Sequence, residues 1–143
     1  MKFFALVLSV ALASLAAADT LQYDPAYDVE GASLTTVACS DGANGLITRG
    51  FSTFKSLPSF PNIGAFSAVS GWNSTNCGTC WEVTYTNAAG ESTSLNVLAV
   101  DHAGDGLINV SEEAMNTLTD NNAVAFGAVP VTSVQVDASA CGL

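Results

Sequence analysis

Four cysteines and a single histidine hold most of the reactive chemistry in this 143-residue chain. Cys77-Gly-Thr-Cys80 has the spacing of a redox dithiol or of half a zinc site. No second C-x-x-C follows, and Cys39, Cys141 and His102 are scattered, so neither a metal nor a cofactor is expected. Glycoside hydrolysis usually needs two carboxyl groups flanking the scissile bond. Asp101 ends the apolar run Leu95 to Val100 and precedes His102 and the loop Ala103-Gly-Asp-Gly106, which suits a ligand contact or an acceptor for loop amides. No other carboxylate has a comparable setting. Asp41 lies in a turn and is expected to make an Asx-type bond, and Asp105 lacks EF-hand spacing around it. One histidine and no G-x-S-x-G elbow argue against a serine hydrolase. On a strand, His102 would face away from Asp101, as a packing or hydrogen-bonding residue.

The compartment decides how the cysteines are read. Lys2, the apolar run Phe3 to Leu15 and Ala16-Ala17-Ala18 form a secretory leader, with cleavage expected before Asp19. The run falls short of the ~20 residues that span a bilayer, so no membrane anchor is expected. Residues 19–143 then make one extracellular domain, possessing only Arg49 and Lys55 as cations against thirteen acids. Loss of Lys2 takes the net charge from -10 to -11. Such a surface repels phosphate backbones and lacks the basic patch that draws proteins to anionic lipid. Outside the cell, an even number of cysteines reads as a disulfide framework. Three pairings are possible; one that joins Cys77 to Cys80 wastes a bridge on a very short loop. Long loops restrict the unfolded chain by ~3–4.5 kcal/mol each.

The elements that position these residues are short. Leu21 to Tyr23, Leu34 to Cys39, Phe66 to Trp72, Trp81 to Thr86, Ser94 to Val100 and Val131 to Val136 read as strands. Asp41-Gly42-Ala43-Asn44-Gly45 is a turn with two glycines able to take positive φ, and Asn44 is expected to cap a helix over Leu46 to Lys55. Asn87-Ala-Ala-Gly90 reads as a hairpin turn. Ser111 is the N-cap of a second helix, with Glu112 and Glu113 in its first turn and Ala114, Met115 and Leu118 inward. Many short strands with two short helices predict a small closed β-barrel.

The ordered set Tyr23-Asp24-Pro25, Cys39-Ser-Asp-Gly42, Asn44-Gly45-Leu46, Cys77-Gly-Thr-Cys80-Trp81, Val97-Leu-Ala-Val100-Asp101-His102 and Cys141-Gly142-Leu143 resembles the cerato-platanin family of small secreted fungal proteins. The resemblance spans residues 19–143. It implies a mainly β fold with short helices, a six-stranded double-psi β-barrel related to expansins, and disulfides Cys39–Cys77 and Cys80–Cys141. It further implies binding of chitin or N-acetylglucosamine oligomers, self-assembly at interfaces and recognition by plants as an elicitor. Asp101 matches the aspartate that expansins share with endoglucanases of this barrel, yet a shared fold does not confer hydrolysis.

Two functions follow. One is non-catalytic binding of wall polysaccharide in a shallow groove formed by Tyr23, Asp41, Asn44, Gly45, Asp101 and His102, with Tyr23 or Trp81 as the aromatic face. The other is a weak glycoside hydrolase or lytic transglycosylase with Asp101 as acid. The single carboxylate favours the first. A surface-active film former is a third class, compatible with binding. Asn73-Ser-Thr75 is a candidate glycosylation sequon, whereas a sugar on Asn109 would crowd a helix cap.

Overall fold

A computed structural model describes residues 16–143. The apolar part of the leader lies outside them. Six strands close a barrel in the order β1-β5-β2-β4-β3-β6, comprising Ala17–Tyr23 (β1), Ile63–Phe66 (β2), Cys80–Thr86 (β3), Ser92–His102 (β4), Leu107–Val110 (β5) and Ala128–Val136 (β6). β1 pairs parallel with β5 and β2 parallel with β4, and the remaining neighbours are antiparallel. This is a six-stranded double-psi barrel. β1 begins two residues ahead of the expected cleavage point, with Ala17 opposite Ser133 and Ala18 opposite Thr132.

β4 is the axis of the fold. Its residues Val97 to Val100 are fully buried, a continuous apolar run with cover on both faces. Outside the sheet, Cys39 N–H donates to the Val100 carbonyl and Gly78 N–H to the Ala99 carbonyl, so two long loops are laced onto this strand. The disulfides Cys39–Cys77 and Cys80–Cys141, spanning 38 and 61 residues, clamp those loops and the C-terminus to the barrel. Gly64 lets β2 and β5 approach: a Cβ there would lie 2.4 Å from the Asn109 carbonyl oxygen. In the β3–β4 turn, the Asn87 side chain accepts from Ala89 and Glu91 N–H while Gly90 takes φ +80°. Inward Val129, Val131 and Ser133 alternate with outward residues along β6.

One α-helix, Glu112–Thr119 (α1), closes an end of the barrel with Ala114, Met115 and Leu118 buried. Ser111 caps it by accepting from Ala114 N–H, and the Asp28 carboxylate accepts from Glu112 and Glu113 N–H at the same end. A short helix, Ala123–Phe126 (α2), follows. Among the described residues no helix is long and apolar enough to cross a membrane.

Three sequence expectations fail for local reasons. Leu34 to Cys39 is not a strand; Leu34–Thr36 is a 3-10 turn because Ser33 accepts from Thr35 N–H and receives the Thr36 hydroxyl on its carbonyl. Leu46 to Lys55 forms no α-helix. Gly50, at φ +100°, breaks it, and only Phe54–Ser56 turns as 3-10. The strand placed at Phe66 to Trp72 instead runs Ile63–Phe66, and the chain turns at once, with Val69 N–H donating to the Phe66 carbonyl.

Candidate functional site

The end of β4 and the two loops laced onto it carry most of the sequence-selected residues. Asp101 faces a groove of about 400 Å³ lined by Asp24, Tyr27, Val29, Thr36, Phe54 and other residues. Its Oδ2 accepts from the Tyr27 hydroxyl at 2.9 Å, and its Oδ1 accepts from Ala38 and His102 N–H, both at 2.9 Å. Three of roughly four lone-pair sites on the carboxylate are thus taken internally. Burial first, then the charge of Asp101 and its hydrogen bond, push the Tyr27 hydroxyl far above its ordinary ionisation range. Asp24 brings a second carboxylate to this groove, which the sequence does not reveal, but its Oδ1 caps a 3-10 turn by accepting from Ala26 N–H. The groove therefore contains two acids, both occupied in holding loops.

A different constellation forms around Asp41. Its Oδ1 accepts from the Trp72 indole N–H at 2.7 Å, in place of the Asx-type bond expected from the sequence. That donor, more than the lesser Ser40 hydroxyl, holds the Asp41 carboxyl below the usual aspartate value. Trp72 is 63% exposed, so the bond fixes the ring by its edge while leaving its face to solvent. Beside it, Asn44 N–H donates to Asn73 Oδ1 and Asn44 Nδ2 donates to the Asn73 carbonyl, both at 3.0 Å. Asn73 takes left-handed φ +58°, and Gly42 takes φ +84° with no room for a Cβ against the Asn73 side chain. Gly45 has a different reason for being glycine. A Cβ there would lie 2.2 Å from the Asp41 carbonyl oxygen and 2.3 Å from that of Ser40, so close approach rather than positive φ is required. Arg49 seals the turn by donating to the Asn44 and Cys77 carbonyls.

His102 joins the two regions. Its Nδ1 lies 2.5 Å from the Val69 carbonyl, which obliges that nitrogen to carry the proton, and its backbone N–H goes to Asp101. Tyr23 ends β1 opposite Val110, half-buried on the core, and makes no part of the Asp41 cluster. Trp81 is a packing residue: it stacks on Phe66 at 5.7 Å and donates its indole N–H to Thr79. Trp72 is the most exposed aromatic among the described residues, which its expected strand placement concealed. Asn73 uses its amide oxygen and carbonyl in the Asn44 pairing, and the Nδ2 that a glycan would take is not part of that pair. A separate groove of about 570 Å³, among Asp28, Glu112, Glu113, Asn116 and Asp120, contains none of these residues.

A family profile described as Cerato-platanin matches residues 19–143. The chain is 49% identical over 138 residues to an Arthroderma benhamiae protein described as "Allergen Asp f 15 homolog", an alignment covering 94% of this chain. It spans 65% of that relative's length. The crystal structure of cerato-platanin 2 from M. perniciosa superposes with TM-score 0.83 at 50% identity, covering 89% of this chain and 100% of that one. The solution structure of the fungal elicitor cerato-platanin superposes with TM-score 0.70 at 38% identity, covering 85% and 95%. With residues 19–143 matched by the profile and its barrel superposing on cerato-platanin structures, the chain belongs to the cerato-platanin family.

Proposed function

We propose that the protein is secreted and binds chitin or N-acetylglucosamine oligomers without cleaving them, with an elicitor-type role and expansin-like, surface-active behaviour in the wall. One observation carries this reading: an exposed indole face is pinned by Asp41, beside the amides of Asn44 and Asn73. Sugar rings present an apolar face and a rim of hydroxyls, and a rigid aromatic plane bordered by fixed amides is complementary to both. Gly42 and Gly45 keep the turn compact enough to hold that geometry. Asp101 serves the site indirectly, by tying Ala38 and hence the loop entering Cys39 to β4.

A second reading, weak hydrolysis with Asp101 as acid, draws on Asp24 sharing its groove. The commitment of both carboxylates to loop amides favours binding alone. NMR titration with chitin hexamer, with a reducing-end assay on the same sample, separates the two. Shifts at Trp72 and Asn44 without product support binding, whereas product lost in Asp101→Asn establishes hydrolysis.

A further inference from the structure

β4 is paired on both sides only over part of its length. β2 covers it from Leu98 to His102, whereas β3 runs along it from Ser92 to Leu98. Ala99 exchanges bonds with the β3 side, donating to Thr79 and accepting from Gly78, while Leu98 N–H turns the other way, to the Asn62 carbonyl. Alternation along the strand then directs the backbone N–H and C=O of Ser92, Ser94 and Asn96 away from β3. The close side-chain pairs Thr84–Ser94 and Thr86–Ser92, 2.7 and 2.8 Å between hydroxyls, mark those residues as the non-hydrogen-bonded positions of the β3 ladder. Among the described residues nothing pairs with this edge.

The edge opens on a groove of about 540 Å³ whose opposite wall is Pro58, Ser59, Phe60 and Asn62, ending at the C-terminal Ala140 to Gly142. No lining residue is charged, in a chain of net charge -10. The Ser59 hydroxyl oxygen is buried there without a hydrogen-bond partner among the described residues. Natural edges are usually blunted by lysine, proline or a bulge, and Ser92-Thr-Ser-Leu-Asn96 contains no charge and no proline.

We propose that this edge of β4 accepts an extended segment of another polypeptide as an added strand. A regular row of unpaired N–H and C=O groups matches a polypeptide backbone, which repeats donors and acceptors at the same interval. The uncharged walls suit small or apolar side chains on the inserted segment, against Phe60 and Leu95. The chain's net charge of -10 favours basic residues flanking it and opposes a second copy of this chain.

The test is selection of octapeptides from a displayed random library on the intact folded protein, followed by amide hydrogen exchange with the enriched synthetic peptide. Exchange at Ser92, Ser94 and Asn96 should slow at least tenfold, and the enriched peptides should be basic outside an uncharged centre. Methylating alternate peptide amides should abolish binding. Ser94→Pro should abolish it too while keeping the fold, because that N–H is outside the β3 ladder. If Ser94→Pro does not fold, the methylated peptide decides alone. The proposal is overturned if no peptide is enriched, if enriched peptides protect another surface, or if methylation leaves binding intact. It also fails if N-acetylglucosamine oligomers protect these amides in the peptide's place, or if protein concentration alone does.

Discussion

Replacing Asp101 with alanine should destabilise the domain rather than simply remove a sugar contact. The substitution strips the acceptor from the Tyr27 hydroxyl and from the Ala38 and His102 N–H groups. A buried donor left unpaired costs about 1–3 kcal/mol. Tyr27 is 7% exposed and should bear the upper part of that range; Ala38 is half-buried, and His102 is exposed enough to regain water. The sum is about 3–5 kcal/mol, a large share of the roughly 5–15 kcal/mol by which domains are stable. Urea unfolding measures it directly: with a slope of about 1–3 kcal/mol per molar, the midpoint should fall by roughly 2 M. Asp101→Asn keeps an oxygen for the two amides and offers an N–H to the Tyr27 hydroxyl, so it should lose only about 1 kcal/mol. If Asp101→Ala stays within about 0.5 kcal/mol of the parent yet loses glycan binding, the tether account is wrong and the carboxylate is a ligand contact.

Gly45→Ala should cost about 3 kcal/mol, since its Cβ meets two backbone carbonyls, and chemical denaturation checks this. Non-reducing peptide mapping should find the bridges Cys39–Cys77 and Cys80–Cys141, and reducing either should cost about 4 kcal/mol for loops of 38 and 61 residues. Asp41 has a depressed folded pKa, so its contribution is present above the ordinary aspartate value and lost as pH falls through the lower folded one. The Trp72 indole N–H resonance should accordingly move only below about pH 4, and not at all in Asp41→Ala. Tyr27 has a raised pKa, so stability should decline as pH rises above about 10, where the unfolded tyrosine ionises. Ultraviolet titration should show Tyr27 ionising only with unfolding.

What the sequence disclosed was whatever a local pattern encodes. Ser111 with Glu112 and Glu113 announces α1, Asn87 to Gly90 announces the hairpin, and alternation from Val131 announces β6. What it concealed depends on distant partners. β5 is four residues long and exists because β1 and β2 flank it. Hydroxyl capping by Ser33 turned a β-branched run into a 3-10 turn. The turn that holds Asp41 and Asn44 was legible from its glycines, but the contact of Trp72 with Asp41 was not, because it is an indole bond across 31 residues. An exposed tryptophan within a Gly-Trp-Asn-Ser loop is the signal that would have found it.

The pinned indole of Trp72 is the proposed sugar-binding face. Calorimetric titration of the parent protein and Trp72→Ala with chitin hexamer tests it most directly. Covering one ring face, about 80 Å² of apolar surface, contributes about 2 kcal/mol, so the variant should bind at least tenfold more weakly. Its unfolding midpoint should fall only slightly, because the ring is 63% exposed and the one bond lost is to the exposed Asp41 carboxylate. Equal affinity in the two proteins would place the glycan elsewhere and contradict the account.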